Sequence, residues 1–113
     1  MKPLAFAVLA ACASDAMTID QYPCPQQGTQ LTYESFGNEF FASNCNSCHS
    51  AVVGDRHGAP ESYTFDTLDE VHAHAARIFI NSAGPNTTMP PGPSDPPLAT
   101  RDQLAEWLAC GAP

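Results

Sequence analysis

The sequence predicts a small all-α domain built from three main helices. At 113 residues, the chain has the length of one small domain. Apolar side chains recur at helical spacing in three separate segments, and two of these segments open on capping-box patterns, Thr67-Leu68-Asp69-Glu70 and Thr100-Arg101-Asp102-Gln103. These observations indicate helices that are joined by turns and loops.

The first helix is expected over residues 32–44. Thr32 is a suitable N-cap, because its hydroxyl accepts a hydrogen bond from a backbone N–H of the first turn. Phe36, Phe40 and Phe41 follow on one apolar side.

The second and third helices are expected over residues 68–81 and 101–109. Gly84-Pro85 ends the second segment and Gly111 ends the third. The second segment carries an apolar stripe at helical spacing, formed by Leu68, Val71, Ala75, Ile78 and Phe79. The stripe of the third segment is Leu104, Trp107 and Leu108.

A Cys-x-x-Cys-His motif, Cys45-Asn46-Ser47-Cys48-His49, follows directly after the first predicted helix. This motif is typical of covalent attachment of haem c. Each thiol can add to one vinyl group of the same porphyrin, which leaves the His49 imidazole as an axial ligand of the iron. A Cys-x-x-Cys pair also occurs in zinc sites and redox dithiols, but no second such pair stands at zinc-site spacing. Haem attachment through Cys45 and Cys48 is therefore preferred, with a zinc or dithiol module as the alternative.

The N-terminal residues are predicted to be a signal peptide, residues 1–11, and a tether, residues 12–30. Lys2 and the apolar run after it are typical of an export signal, and the run is too short to span a bilayer. Leu9-Ala10-Ala11-Cys12 resembles a bacterial lipoprotein cleavage box in which Cys12 carries the lipid. We therefore expect a periplasmic or outer-membrane-anchored protein, with a cleaved signal and no lipid as the alternative.

The remaining cysteines, Cys24 and Cys110, are expected to form a disulfide. They are left over if Cys12 carries lipid and if the haem motif uses its own two thiols, and an exported compartment favours their oxidation. The alternative is that both remain unpaired. A bridge closing so long a loop stabilises the fold by about 4 kcal/mol in the chain-entropy model.

The formal net charge of -8 arises from twelve carboxylates against four Lys and Arg residues. This balance argues against nucleic acid as a partner and favours a redox partner protein with a basic docking face. Simple solubility explains the same charge equally well.

The order helix, haem motif, helix, proline-rich loop and final helix resembles that of small class I cytochromes c. Gly37-x-x-x-Phe41 is similar to the first-helix signature of that family, in which a small residue lets the terminal helix cross closely. Leu104-x-x-Trp107-Leu108 resembles the partner stripe, and Thr87-Thr88-Met89-Pro90-Pro91 resembles the distal ligand segment. The resemblance covers residues 31–113 as one cytochrome c domain. It implies a one-electron carrier rather than an enzyme, with His49 and Met89 as axial ligands.

Met89 is the expected second ligand on chemical grounds as well. A thioether is a soft ligand that favours reduced iron. Six of the eleven prolines lie in residues 85–97, so the loop that carries Met89 has little conformational freedom. His57, His72 and His74 are rivals that would give a two-histidine haem. An open or labile distal position would instead favour a haem sensor or a peroxidase-like centre.

Two further contacts to the cofactor are expected, one from the resemblance and one from the chemistry of arginine, for which an ordinary surface ion pair is the alternative. Gly58-Ala59-Pro60 stands where the family offers a backbone carbonyl to the axial imidazole, which predicts a role for Pro60 and leaves open which carbonyl is used. Arg77, and less strongly Arg56, is expected to pair with haem propionates, because a guanidinium matches a carboxylate.

Overall fold

Short helices joined by turns account for all regular secondary structure that the computed structural model describes, over residues 16–93 and 95–113. No strand occurs among these residues, so the predicted all-α class is confirmed. None of their helices combines the length and the apolar character needed to cross a membrane. The predicted signal peptide, residues 1–11, and the predicted lipid-attachment residue Cys12 lie outside the described residues.

The first predicted helix is present and is capped as expected. The Thr32 hydroxyl accepts a hydrogen bond of 3.0 Å from the Ser35 N–H. The chain then forms one wide turn of π-helix, Tyr33–Gly37, and continues as helix α1, Asn38–Asn44. The wide turn is a tertiary feature that the helical spacing of the apolar residues does not predict.

The second predicted helix is divided into α2, Leu68–Ala73, and α3, Ala75–Ser82. Thr67 caps α2 by accepting a hydrogen bond of 3.2 Å from the Glu70 N–H. The break lies at His74, whose backbone leaves helical geometry at φ −114° and ψ 14°. No glycine or proline marks this position, but the His74 ring packs 4.6 Å from that of Tyr63. The prediction of one continuous helix is therefore wrong, because a tertiary contact interrupts it.

The third predicted helix begins earlier than expected. Helix α4 spans Leu98–Ala109, and Pro97 rather than Thr100 occupies its N-cap position. A proline before the first turn needs no N–H partner, and its ring fixes φ, so the helix begins directly after the proline-rich loop.

The core forms where α3 and α4 pack together and where α4 meets the first helix. Trp107 is fully buried, and its ring lies 6.0 Å from Phe36 and 6.3 Å from Phe41. A Cβ atom on Gly37 would lie only 2.7 Å from two carbons of the Trp107 ring. The close approach expected between Gly37 and the terminal helix is therefore present.

The described part of the predicted tether is not free. Met17, Ile19 and Tyr22 pack against the core around a short 3-10 helix, Ile19–Gln21. The side-chain amide of Asn86 hydrogen-bonds both the N–H and the carbonyl of Met17, at 3.0 and 2.7 Å. The tether prediction is therefore wrong from residue 16 onward, because apolar side chains that were assigned to a linker find places on the helices.

A disulfide joins Cys24 to Cys110, with the two Cα atoms 4.9 Å apart. It ties the segment before the first helix to the end of α4, across 86 positions of sequence. This is the pair expected from the cysteine arithmetic.

Replacing Gly37 by alanine is expected to destabilise the fold by about 1–3 kcal/mol, because the new methyl group overlaps a rigid, buried indole ring. Chemical denaturation measures this loss. Gly54→Ala is the matched control, since a Cβ there meets nothing within 4 Å. Equal stability of the two variants would contradict the close crossing.

Candidate functional site

The Cys-x-x-Cys-His motif forms a helical turn at the end of α1. The Cys45 N–H donates to the Phe41 carbonyl at 3.0 Å, and the Cys45 carbonyl accepts from the N–H groups of Cys48 and His49 at 3.1 and 2.9 Å. Positions i, i+3 and i+4 of a helical turn share one side. The turn therefore presents both thiols and the imidazole together.

This side of the turn lines a cleft of about 500 Å³, a size typical of small-molecule and cofactor sites. All six residues proposed from the sequence line it, namely Cys45, Cys48, His49, Pro60, Arg77 and Met89. Much of the remaining lining is apolar and includes Tyr63, Phe65, Ile78, Pro90, Pro91 and Pro93. The structure thus brings together residues that are more than forty positions apart in the chain.

The His49 imidazole is held in a defined orientation. Its Nδ1 lies 2.8 Å from the Tyr63 carbonyl oxygen, and its ring stacks on Phe65 with 4.7 Å between centroids. Because a carbonyl oxygen only accepts, Nδ1 carries the proton in this hydrogen bond. The neutral ring therefore keeps a lone pair on Nε2, the arrangement that a metal-ligating histidine requires.

The carbonyl that orients His49 belongs to Tyr63 and not to Pro60. The Pro60 carbonyl instead accepts a hydrogen bond of 2.7 Å from Nη2 of Arg56. Pro60 lines the cleft, but the orienting role expected near it falls three residues further along the chain. The sequence carries no signal for this, because every residue has a backbone carbonyl.

Arg56 braces the loop that supplies this carbonyl. Its terminal nitrogens donate to the carbonyls of Ser50, Pro60 and Tyr63 at 2.6, 2.7 and 3.2 Å. Its Nε is buried and has no partner among the described residues. Three of the five N–H donors of Arg56 thus serve the loop; of the two that remain, the Nε proton is buried and the other belongs to Nη1.

The two motif thiols are unbridged. Burial raises the pKa of Cys45 to about 12, the positive charge of Arg101 lowers it in part, and neighbouring Cys48 raises it again. A reactive dithiol needs a thiolate near neutral pH, so this environment disfavours the dithiol interpretation. A neutral thioether at the same atom carries no such burial cost.

The backbone of Met89 is fixed on both sides. Its N–H donates to the Asn81 carbonyl at 2.8 Å, and its carbonyl accepts from Nη1 of Arg101, also at 2.8 Å. Its side chain lines the cleft and is 39% exposed, unlike the buried apolar side chains of the core. Met89 therefore borders the same space as Cys45, Cys48 and His49.

The rival histidines are dispersed. His57 is exposed and lines the cleft. His72 lies outside the lining, with its Nε2 at 2.8 Å from the Ala112 carbonyl, and His74 packs against Tyr63. Among the three, His57 is thus the one that shares the cleft with His49.

The charge of the cleft differs from that of the whole chain. Among residues 16–93 and 95–113, no Asp or Glu lines it, although the formal net charge of the chain is -8. Arg77 is exposed, lines the cleft and forms no salt bridge with any described residue. The cleft therefore suits a ligand that carries an anionic group on a largely apolar framework.

Sequence reasoning missed Arg101, whose side chain is almost fully buried beneath the Met89 loop. Arg101 precedes Leu104 by three positions and Leu108 by seven, so it lies on the apolar stripe of α4. An arginine on a buried stripe was the signal available in the sequence.

Over residues 16–93 and 95–113, no three His, Cys, Asp or Glu side chains cluster so as to hold a metal ion by themselves. Comparison with known proteins gives no match: no protein-family model, no curated protein and no solved structure is significantly similar to this chain.

Asp66 closes the loop that positions His49, and its removal is expected to loosen that loop. The Ser50 hydroxyl and the Ala51 N–H bond its carboxylate and lower its pKa. Stabilisation is therefore complete above the unfolded-state pKa of about 4 and is lost as the pH falls through the lowered folded value. Because the carboxylate is exposed, Asp66→Asn should cost only a few tenths of a kcal/mol at pH 7.

Stability measured by denaturation at pH 7 and at successively lower pH tests this contribution, with Glu61→Gln as the control for removing one exposed carboxylate of the same loop. The difference between wild type and Asp66→Asn should shrink below pH 4. A difference that grows on acidification would contradict it.

Proposed function

We propose that this chain is a small c-type cytochrome that carries one electron on a single haem c, bound covalently through Cys45 and Cys48. The observation that carries the proposal is the convergence on one largely apolar cleft of three motif residues and Met89. A thiol pair, an oriented imidazole and a thioether are the protein groups that a covalently bound, six-coordinate haem uses.

The chemistry of these residues fits that cofactor. The Tyr63 carbonyl leaves Nε2 of His49 free to ligate iron. Met89 supplies a soft sulfur that favours the reduced state. The buried position of Cys45 suits a neutral thioether better than a thiolate.

The charges of the cleft suit the two propionates of a haem. Arg77 is available to pair with one carboxylate, since it forms no salt bridge with a described residue, and Arg56 lines the same cleft. The described part of the lining contains no Asp or Glu that would repel an anionic ligand.

The haem, when bound, supplies reversible one-electron chemistry at its iron. The residues of the chain set the conditions for it. His49 and Met89 would hold the iron from two sides of the cleft, which would leave no coordination site for a substrate and would favour electron transfer over catalysis. Phe65, Ile78 and the loop prolines line the cleft and would give the haem an apolar surround, which disfavours the more highly charged ferric state.

The finer fold assignment, a class I cytochrome c-like arrangement, is part of this proposal. It is supported by the order of the helices around the motif and by the contact of Gly37 with Trp107. The disulfide between Cys24 and Cys110 is consistent with an exported protein of the periplasm, anchored to a membrane if Cys12 is lipidated. A redox protein with a basic docking face is the proposed partner, attracted by the net negative charge.

A second candidate is a haem sensor or peroxidase-like centre whose distal ligand leaves the iron. Ready binding of carbon monoxide by the reduced wild-type protein would favour this candidate. A carrier in which His57 replaces Met89 is the third form, supported by the position of His57 at the cleft.

Two substitutions test the ligand roles in protein exported from a host that attaches haem c. Met89→Ala should keep covalent haem, lose the weak methionine-to-ferric-iron charge-transfer band and bind carbon monoxide when reduced. Its reduction potential should fall by on the order of 100 mV, because axial ligands shift haem potentials over a wide range. His49→Ala should abolish stable ligation or maturation.

Met17→Ala and His72→Ala are the matched controls, since neither residue lines the cleft. An unchanged spectrum in Met89→Ala would transfer the ligand role to His57. Wild-type protein that releases all haem on acid denaturation and extraction would refute covalent attachment and the carrier proposal with it.

A further inference from the structure

We propose that Arg101 is the positioning residue of the distal ligand: its buried guanidinium fixes the backbone of Met89 and thereby keeps the thioether on the iron. The inference rests on the proposed function. It assigns the role to a residue that touches neither the cleft nor the ligand atom.

The first support is the hydrogen bonding of Arg101. Its side chain is almost fully buried at the beginning of α4. Nη1 donates to the carbonyls of Ser82, Asn86 and Met89, at 2.9, 3.0 and 2.8 Å. One nitrogen thus joins the end of α3 to two points in the proline-rich loop, residues 85–97, which is called the distal loop below.

The second support is the ion pair on the opposite nitrogen. Nη2 of Arg101 lies 2.5 Å from the Asp95 carboxylate, which is 69% exposed. Met89 and Asp95 stand on either side of Pro90, Pro91 and Pro93, so one guanidinium ties both ends of this part of the loop. Lysine cannot reproduce this arrangement, because its single nitrogen lacks the planar fork of donors.

The third support is the energetic cost of this arrangement. Burying a guanidinium costs desolvation free energy, and pairing it with a carboxylate that stays in water recovers little of that cost. Apolar side chains often fill such a space with equal or greater stability. The arginine does provide directed donors that an apolar side chain lacks. The Met89 N–H is already held by the Asn81 carbonyl, so the bond from Arg101 leaves only the side chain of Met89 free to move.

The position of Arg101 also links the two halves of the ligand set. It lies on α4, the helix whose Trp107 packs against the first helix, and that helix ends at the haem motif. Displacement of the distal loop therefore breaks hydrogen bonds to α4, and α4 is also the helix that packs against the segment leading to His49.

The test compares Arg101→Lys and Asp95→Asn with wild type, all as haem-loaded protein. The readouts are the methionine-to-ferric-iron charge-transfer band, carbon monoxide binding to the reduced protein and the reduction potential, with circular dichroism as the check on folding. Asp102→Asn is the control, because it removes an exposed carboxylate next to Arg101 that forms no ion pair with a described residue.

We expect Arg101→Lys to raise the equilibrium constant for thioether dissociation about tenfold or more, since a hydrogen bond from a charged donor is worth at least that factor. The band should weaken, carbon monoxide should bind more readily and the potential should fall. Asp95→Asn should change the same readouts in the same direction by a smaller factor, and Asp102→Asn should leave them at wild-type values.

The inference is overturned if folded Arg101→Lys keeps the wild-type band and carbon monoxide affinity. If Arg101→Lys does not fold, unchanged readouts in Asp95→Asn overturn it. Wild-type protein with covalent haem but no methionine band would also overturn it, while leaving an electron carrier with a different distal ligand. Wild-type protein without covalent haem would refute the proposed function itself.

Discussion

The packing of the Trp107 ring on Gly37 is the contact on which the rest of the structure depends. Burying a tryptophan removes some 150–250 Å² of surface from water and contributes about 4–6 kcal/mol at 25 cal/mol per Å². A single hydrogen bond contributes about 1 kcal/mol. The contact therefore decides how α4 lies against the first helix. Because that helix ends at Cys45 and α4 carries Arg101, one apolar contact sets the relation between the proximal and distal sides of the cleft.

The helices were predictable where their signals are local. A capping threonine and an apolar stripe at helical spacing predict where the first helix and α2 begin, and the structure has both starts at the predicted residues. The errors lie where distant residues decide. The break at His74 depends on a ring from the loop before α2, and the early start of α4 depends on the proline-rich loop. The stretch before Cys24 is a similar case. It is polar and resembles a linker in sequence, because the surface against which Met17 packs is formed only by the folded helices.

The candidate site divides in the same way. The motif is local, since positions i, i+3 and i+4 share a side of one turn. Met89, which was expected as a soft ligand in a stiff loop, lines the same cleft as the motif. The Tyr63 carbonyl was not, because a backbone acceptor has no residue type of its own. Arg101 had a signal, an arginine on an apolar stripe, but its target carbonyls are defined only after α3 and α4 pack.

The electrostatics of the cleft follow from local groups rather than from net charge. At physiological ionic strength the Debye length is about 8 Å, so carboxylates elsewhere on the surface act weakly on a group bound inside the cleft. Arg56 and Arg77 line it, and no carboxylate of the described residues does. An anionic cofactor is therefore compatible with a chain of net charge -8. The same negative charge acts on an approaching protein before contact, where summed fields steer association. The cleft thus suits an anionic group while the outer surface attracts a positively charged one. The two preferences do not conflict, because the arginines of the cleft act at hydrogen-bond distance and the net charge acts through the summed field of the whole molecule.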